Sequence, residues 1–90
     1  MGPDRTKPER LLARILHGHV RNVEFGDLIS LLAALDFREV GGRGSHRVFT
    51  RDGMTEIVNL QEDGGQACPY QVRQIGTLIR RYDLNLEEER

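Results

Sequence analysis

The chain has 90 residues, 38% of them hydrophobic and 30% charged, with a formal net charge of −1. A chain of this size makes one small domain with one core, hides roughly 60 to 65% of its unfolded surface on folding, and leaves no room for a second domain. The near-balanced charge argues against a strongly basic nucleic-acid binder, yet it is unevenly spread: residues 83–90 carry four acids against one arginine, whereas 69–82 carry Arg73, Arg80 and Arg81 and no acid. A basic face on an otherwise balanced body is therefore allowed. Cys68 is the one cysteine, so neither an intramolecular disulfide nor a cysteine-based zinc site is expected, and a reducing, cytoplasmic setting fits. The opening MGPDRTKPER lacks an apolar core of leader length, and no stretch approaches the ~18 apolar residues of a membrane span.

Residues 1–7 are polar and read as a disordered lead-in to a domain over 8–84, with 85–90 an acidic tail. Pro8 suits the first turn of a helix. Leu11, Leu12, Ile15 and Leu16 recur at helical spacing, Gly18 stands where helices stop, and this helix is expected to pack on the domain's edge. After an extended link over 20–24, FGDLISLLAALDF places Phe25, Leu28, Ile29, Leu32 and Leu35 on one broad face, the pattern of a core-facing helix.

Three segments of strand character follow, at 37–42, 45–51 and 54–61. Asp52-Gly53 is a two-residue hairpin signal between the second and third, which predicts a three-stranded antiparallel meander. EDGGQA, 62–67, reads as a loop. Pro69 then opens a last helix in which Val72, Ile75, Ile79 and Tyr82 line up. The fold class is α+β, with helix, helix, three strands and helix in that order. Because a strand sends successive side chains to opposite faces, His46 points away from the helices if Phe49 points toward them. Val58 and Leu60 then face the core, and Ile57 and Asn59 share the side of His46; a bulge near Gly44 would reset this register.

GRGSHRVF, residues 42–49, sets one histidine at the mouth of a strand behind glycines and between arginines. Gly42 and Gly44 let the backbone turn sharply and approach a ligand. Arg43 and Arg47 are suited to phosphate oxygens, and His46 is of the type that titrates near neutral pH. That combination fits acid-base chemistry on a phosphodiester. The other reactive residue types read as structural: His17 and His19 as surface histidines without a nearby acid, Glu62 and Asp63 as a solvated turn beside two glycines, and Cys68 as packing.

The helix LISLLAALDF before the first strand, GSHRVF, and the closing basic helix together resemble the HicA toxins of bacterial HicAB toxin-antitoxin systems, over about residues 25–82. NLQEDGGQACPYQVRQ, 59–74, resembles a longer subgroup of that family. The resemblance implies a double-stranded-RNA-binding-domain-like fold with an extra N-terminal helix, an mRNA-cleaving endoribonuclease activity, and neutralisation by a HicB-type antitoxin. It implies His46 as the catalytic residue and no metal or cofactor. Arg43, Gly44, Ser45, Arg47 and Arg73 are the expected RNA-binding residues, and Pro69 and Tyr70 are candidates for stacking. Three positions depart from the family pattern. Asp36 stands where a glycine is usual, Cys68 where a lysine is common, and residues 8–24 extend beyond the shorter members. Asp36 is suited to the left-handed backbone that a glycine would take there. Two other readings remain open: a non-catalytic RNA-binding module, and a protein-interaction domain that docks a partner on its open sheet face.

Overall fold

In the computed structural model, which describes residues 6–86, the elements are α1 (Thr6–Leu16), α2 (Phe25–Ala34), β1 (Arg38–Arg43), β2 (His46–Thr50), β3 (Val58–Asp63), β4 (Gln66–Ala67) and α3 (Pro69–Arg81). The fold is α+β: an antiparallel sheet in the order β1-β2-β3-β4, with helices packed against one face. Of the expected lead-in over residues 1–7, Thr6 and Lys7 belong to α1 instead and residues 1–5 lie outside the described residues, as do residues 87–90 of the expected acidic tail over 85–90.

Four strands replace the three expected, because EDGGQA is a hairpin rather than a loop. Glu62 pairs with Ala67 and Asp63 with Gln66 around Gly64 and Gly65, whose φ values of 61° and 82° are the paired left-handed conformations of a type I′ turn. The link before α2 joins this hairpin: Ala67 N–H donates to Val23 O and Phe25 N–H to Gly65 O, both at 2.9 Å. Asp52-Gly53, by contrast, does not close a two-residue hairpin. The β2–β3 ladder ends at the Phe49–Val58 pair, and residues 51–57 form a loop with a local turn from Arg51 to Met54. Side chains pull that loop open at both ends. Arg51 Nε donates to Leu35 O at 2.7 Å, a cation on the carbonyl end of α2. Glu56 accepts from Tyr82 Oη at 2.5 Å and from an Arg81 guanidinium N–H at 2.7 Å.

All three helices stop in the same way. After α2, Phe37 N–H donates to Leu32 O and Asp36 N–H to Ala33 O, with Asp36 at φ 72°. This is the Schellman closure, and it uses Asp36 in the left-handed conformation that the sequence suggested. Asp83, at φ 53°, closes α3 through Leu84 N–H to Ile79 O, and Gly18 closes α1 through His19 N–H to Arg14 O.

The first helix covers the core from its outer side, as expected of a helix packed on the domain's edge: among its described side chains Leu11 and Ile15 are buried and the rest are half-buried or exposed. Ile15 is 1% exposed, and Gly76 of α3 brings the two helices so close that a Cβ there would lie 3.0 Å from Ile15 Cγ2. With α1 on one side and the sheet on another, α2 buries Leu31 as well as Phe25, Leu28 and Leu32, and leaves Ile29 half-buried. In the sheet, Phe49, Val58 and Leu60 are buried while His46, Asn59 and Gln61 are exposed. The register shift falls between Glu39 and Gly41, at exposed Val40, and not near Gly44.

Glu56 is held below the usual carboxylate range, first by the Tyr82 hydroxyl and further by Arg81. A carboxylate whose folded pKa is depressed stabilises the fold above its unfolded pKa, and that contribution disappears as the pH falls through the folded value. Denaturant midpoints measured across the acid range should therefore fall with pH in the parent protein. Glu56→Gln should start with a lower midpoint near neutrality and show a shallower acid decline.

Candidate functional site

The local sequence explains how His46 is presented. Arg43 and His46 face each other across β1 and β2 and enclose Gly44-Ser45, with Gly44 at φ 56° in the first central position, where a type II′ turn demands a left-handed residue. Just inside this turn, Gly42 adopts φ 121° and lies so near β2 that a Cβ would strike the His46 carbonyl and come within 2.8 Å of Arg47 Cα. Glu62 N–H donates to Ser45 O at 2.9 Å and fastens the turn to β3. The histidine thus starts a strand whose ends are held from both sides.

Register places the open-face residues in rows across the sheet. Arg43, His46 and Gln61 form one row; Gly41, Val48 and Asn59 form the next. Arg38 faces Thr50 beyond them and forms a surface ion pair with Asp52 at 3.0 Å. Among the described residues the Arg43 guanidinium has no acidic partner, and the side-chain amide of Gln61 makes no hydrogen bond. Gln61 is held through its backbone: its N–H donates to Gln71 Oε1 of α3 at 2.8 Å. Sequence reasoning grouped Asn59 with His46 but missed Gln61. One further step of the same strand alternation finds it.

Arg47 does not join this group, which corrects the expectation that it flanks His46. It follows His46 in the strand and so points to the helix side, where it forms a two-pronged pair with Glu39, Nε to Oε2 at 2.5 Å and the outer nitrogen to Oε1 at 2.9 Å. Its guanidinium carbon also lies 5.9 Å from the centre of the Phe25 ring, within reach of a cation–π attraction. The hydrogen bond from Arg47 holds the Glu39 carboxyl below its ordinary range, and the same bond holds the guanidinium pKa up. Arg47 is thus engaged under the sheet.

The arginines of α3 divide similarly. Arg80 donates to Leu16 O at the end of α1, Arg81 pairs with Glu56, and exposed Arg73 has no side-chain partner among the described residues. Among the described residues no hydrogen bond or ion pair joins Arg73 to the His46 row. Gly44 and Ser45 shape the turn beside His46. His17 and His19 stack loosely with ring centres 6.4 Å apart, far along the chain from that row. Cys68 precedes α3, half-buried. Among the described residues no helix is long and apolar enough to cross a membrane. Comparison with protein-family models, curated proteins and solved structures finds no match to this chain.

Two neighbouring glycines separate structure from surface. Gly42→Ala should cost at least about 1 to 3 kcal/mol in urea unfolding, because the added methyl meets fixed backbone. At Gly41 a Cβ meets nothing within 4 Å, so Gly41→Ala should shift stability by less than about 0.5 kcal/mol. Equal losses in the two variants would contradict the close approach of β1 to β2.

Proposed function

We propose that the protein is an endoribonuclease of the HicA type, a toxin that cleaves mRNA and is held in check by a HicB-type antitoxin, with His46 as its acid-base group. The observation that carries this reading is the row Arg43–His46–Gln61: an exposed imidazole between a cation without an acidic partner and an amide, on the uncovered face of the sheet. The order α2-β1-β2-β3-α3 supports a double-stranded-RNA-binding-domain-like fold, to which α1 and β4 are additions.

The chemistry follows from what these groups supply. His46 takes the proton of a ribose 2′-hydroxyl as its oxygen attacks the adjacent phosphorus; a 2′-O–P bond forms, the P–5′-O bond breaks, and a proton from solvent water passes to the departing 5′ oxygen. Arg43 steadies the charge that grows on the phosphoryl oxygens. This route needs neither metal nor cofactor. Ser45 orients the turn, since no second base and no Asp-His pair accompanies it to make it a nucleophile. An antitoxin that neutralises the enzyme covers the His46 face and competes with RNA for it, in a cytoplasmic setting. A non-catalytic RNA-binding module on the same face is the second reading. It is favoured by one observation: no second acid or base stands in the row with His46.

His46→Ala should abolish RNA cleavage and growth inhibition while changing stability by less than about 0.5 kcal/mol, as expected for an exposed side chain. Cleavage of a structured RNA and thermal melting of both proteins test this, and cleavage retained in the variant excludes His46 as the acid-base group. If the variant binds RNA and the parent protein binds but never cleaves, the second reading stands.

Salt dependence separates the two arginines. Arg43→Ala should reduce the slope of log affinity against log salt by about 1, the loss of one phosphate contact. Arg47→Ala should leave the slope unchanged, because that guanidinium pairs with Glu39 on the other face of the sheet, and should lower stability only slightly, since the pair is partly exposed.

A further inference from the structure

We propose that the groove between the outer edge of β3 and α3 is a subsite for a single nucleobase, next to the nucleotide at His46. The inference rests on reading the His46 face as an RNA surface. The groove is lined by Ile57 and Asn59 from the strand side and by Tyr70, Gln71 and Gln74 from α3, with a volume of about 400 Å³. That is within the roughly 300 to 1,000 Å³ of small-ligand sites and is ample for one base.

Its chemistry selects a flat, uncharged, hydrogen-bonding ring. Ile57 and Tyr70, at 58% and 63% exposure, are two of the three large apolar side chains exposed among the described residues, and both lie here. The exposed Tyr70 ring is the kind of platform on which bases stack without regard to sequence. Three amides line the groove, and Asn59, on the face of His46, is the one placed to supply the selectivity. Asn59 and Gln74 make no side-chain hydrogen bond among the described residues, and Gln71 uses only Oε1, on the Gln61 N–H, which leaves its NH₂ free. A carboxamide offers a donor beside an acceptor, the pattern that reads the edge of an unpaired base. The charged groups at the groove, Glu56 and Arg81, pair with each other at 2.7 Å. The groove is thus neutral, which suits a base better than a phosphate.

Placement ties this groove to the catalytic row. His46 pairs across the sheet with Gln61, so Asn59 is its diagonal neighbour, at about 7 to 8 Å. That separation lets a phosphate at Arg43 and His46 and an adjacent base at Asn59 belong to one strand of RNA. Gln71 strengthens the link, because the same side chain lines the groove and holds the backbone of Gln61 beside His46. In this arrangement Tyr70 supplies affinity, and Asn59 supplies preference among bases.

Binding of short fluorescent single-stranded RNAs to the full-length His46→Ala protein tests the subsite without cleavage. The RNAs differ at one position, which carries each of the four bases or no base. Removing the base should weaken binding about tenfold, the scale of base–aromatic stacking. Tyr70→Ala added to His46→Ala should bind the base-bearing RNAs about tenfold more weakly and the abasic one unchanged, whereas Asn59→Ala should level the four bases. Melting curves check that these exposed substitutions keep the fold. The subsite is overturned if the abasic RNA binds as well as the others, if both variants bind every RNA like their parent, or if an extended peptide but no RNA perturbs the Ile57, Asn59 and Tyr70 backbone resonances. Cleavage by the histidine-bearing chain is scored separately. Base-dependent binding without cleavage keeps the subsite and removes the enzyme, and cleavage with base-indifferent binding does the reverse.

Discussion

Phe49, Val58 and Leu60 pack against the helices, and because a strand alternates its side chains, burying these three turns His46, Asn59 and Gln61 outward. A slip of one residue would place the His46 ring, in β2, or the Asn59 and Gln61 amides, in β3, under the helices and apolar groups in water, so the register is held by the whole apolar energy of that face. Each of these side chains is worth about 1.5 to 3 kcal/mol when fully buried. Gly42 adds a steric lock, since only a residue without a side chain fits between β1 and β2 at that point. The tight turn at Gly44-Ser45 and the Glu62–Ser45 hydrogen bond then fix where β2 begins. The Arg43–His46–Gln61 row is a consequence of packing on the far side of the sheet.

The same parity assigns the charges. Arg43 and Arg47 look interchangeable in sequence, but an interval of four residues that spans a two-residue turn sends them to opposite faces. Arg43 stands beside His46 in water, and Arg47 is consumed by Glu39 and the Phe25 ring. Arg80 and Arg81 are likewise engaged with the end of α1 and with Glu56. The surface open to an anion is therefore less basic than the count of arginines suggests, in keeping with the formal net charge of −1. Recognition on such a surface depends on one or two well-placed cations, amide groups and shape rather than on a broad positive field.

The helices and the orientation of His46 were legible because each rests on a strong periodic signal. Leu28, Leu32 and Leu35 repeat at helical spacing, and Phe49 and His46 differ in parity. What was not legible depends on contacts distant in sequence. Asp52-Gly53 and Gly64-Gly65 are both good hairpin signals, but only the second closes a two-residue turn; the loop around the first is engaged instead by Arg51 reaching Leu35 O and by Glu56 reaching Tyr82, 16 and 26 residues away. Two left-handed glycines answer the demand of a type I′ turn directly, but the strand after them, Gln66–Ala67, is too short to carry an alternation pattern, so EDGGQA reads as a loop in sequence. Arg47 was misplaced because flanking in sequence was read as flanking in space. Gln61 escaped because it has no chemical signature of its own; its relevance comes from lying opposite His46.

The central claim is that this sheet face cleaves RNA through the ribose 2′-hydroxyl. The ends of the cleavage products test it most directly, on one RNA and on the same RNA with a 2′-deoxy nucleotide at the cleaved position. The account predicts 2′,3′-cyclic phosphate and 5′-hydroxyl ends from the all-ribose substrate and no cleavage at the deoxy position. Products ending in 3′-hydroxyl and 5′-phosphate, or undiminished cleavage at the deoxy nucleotide, would contradict it.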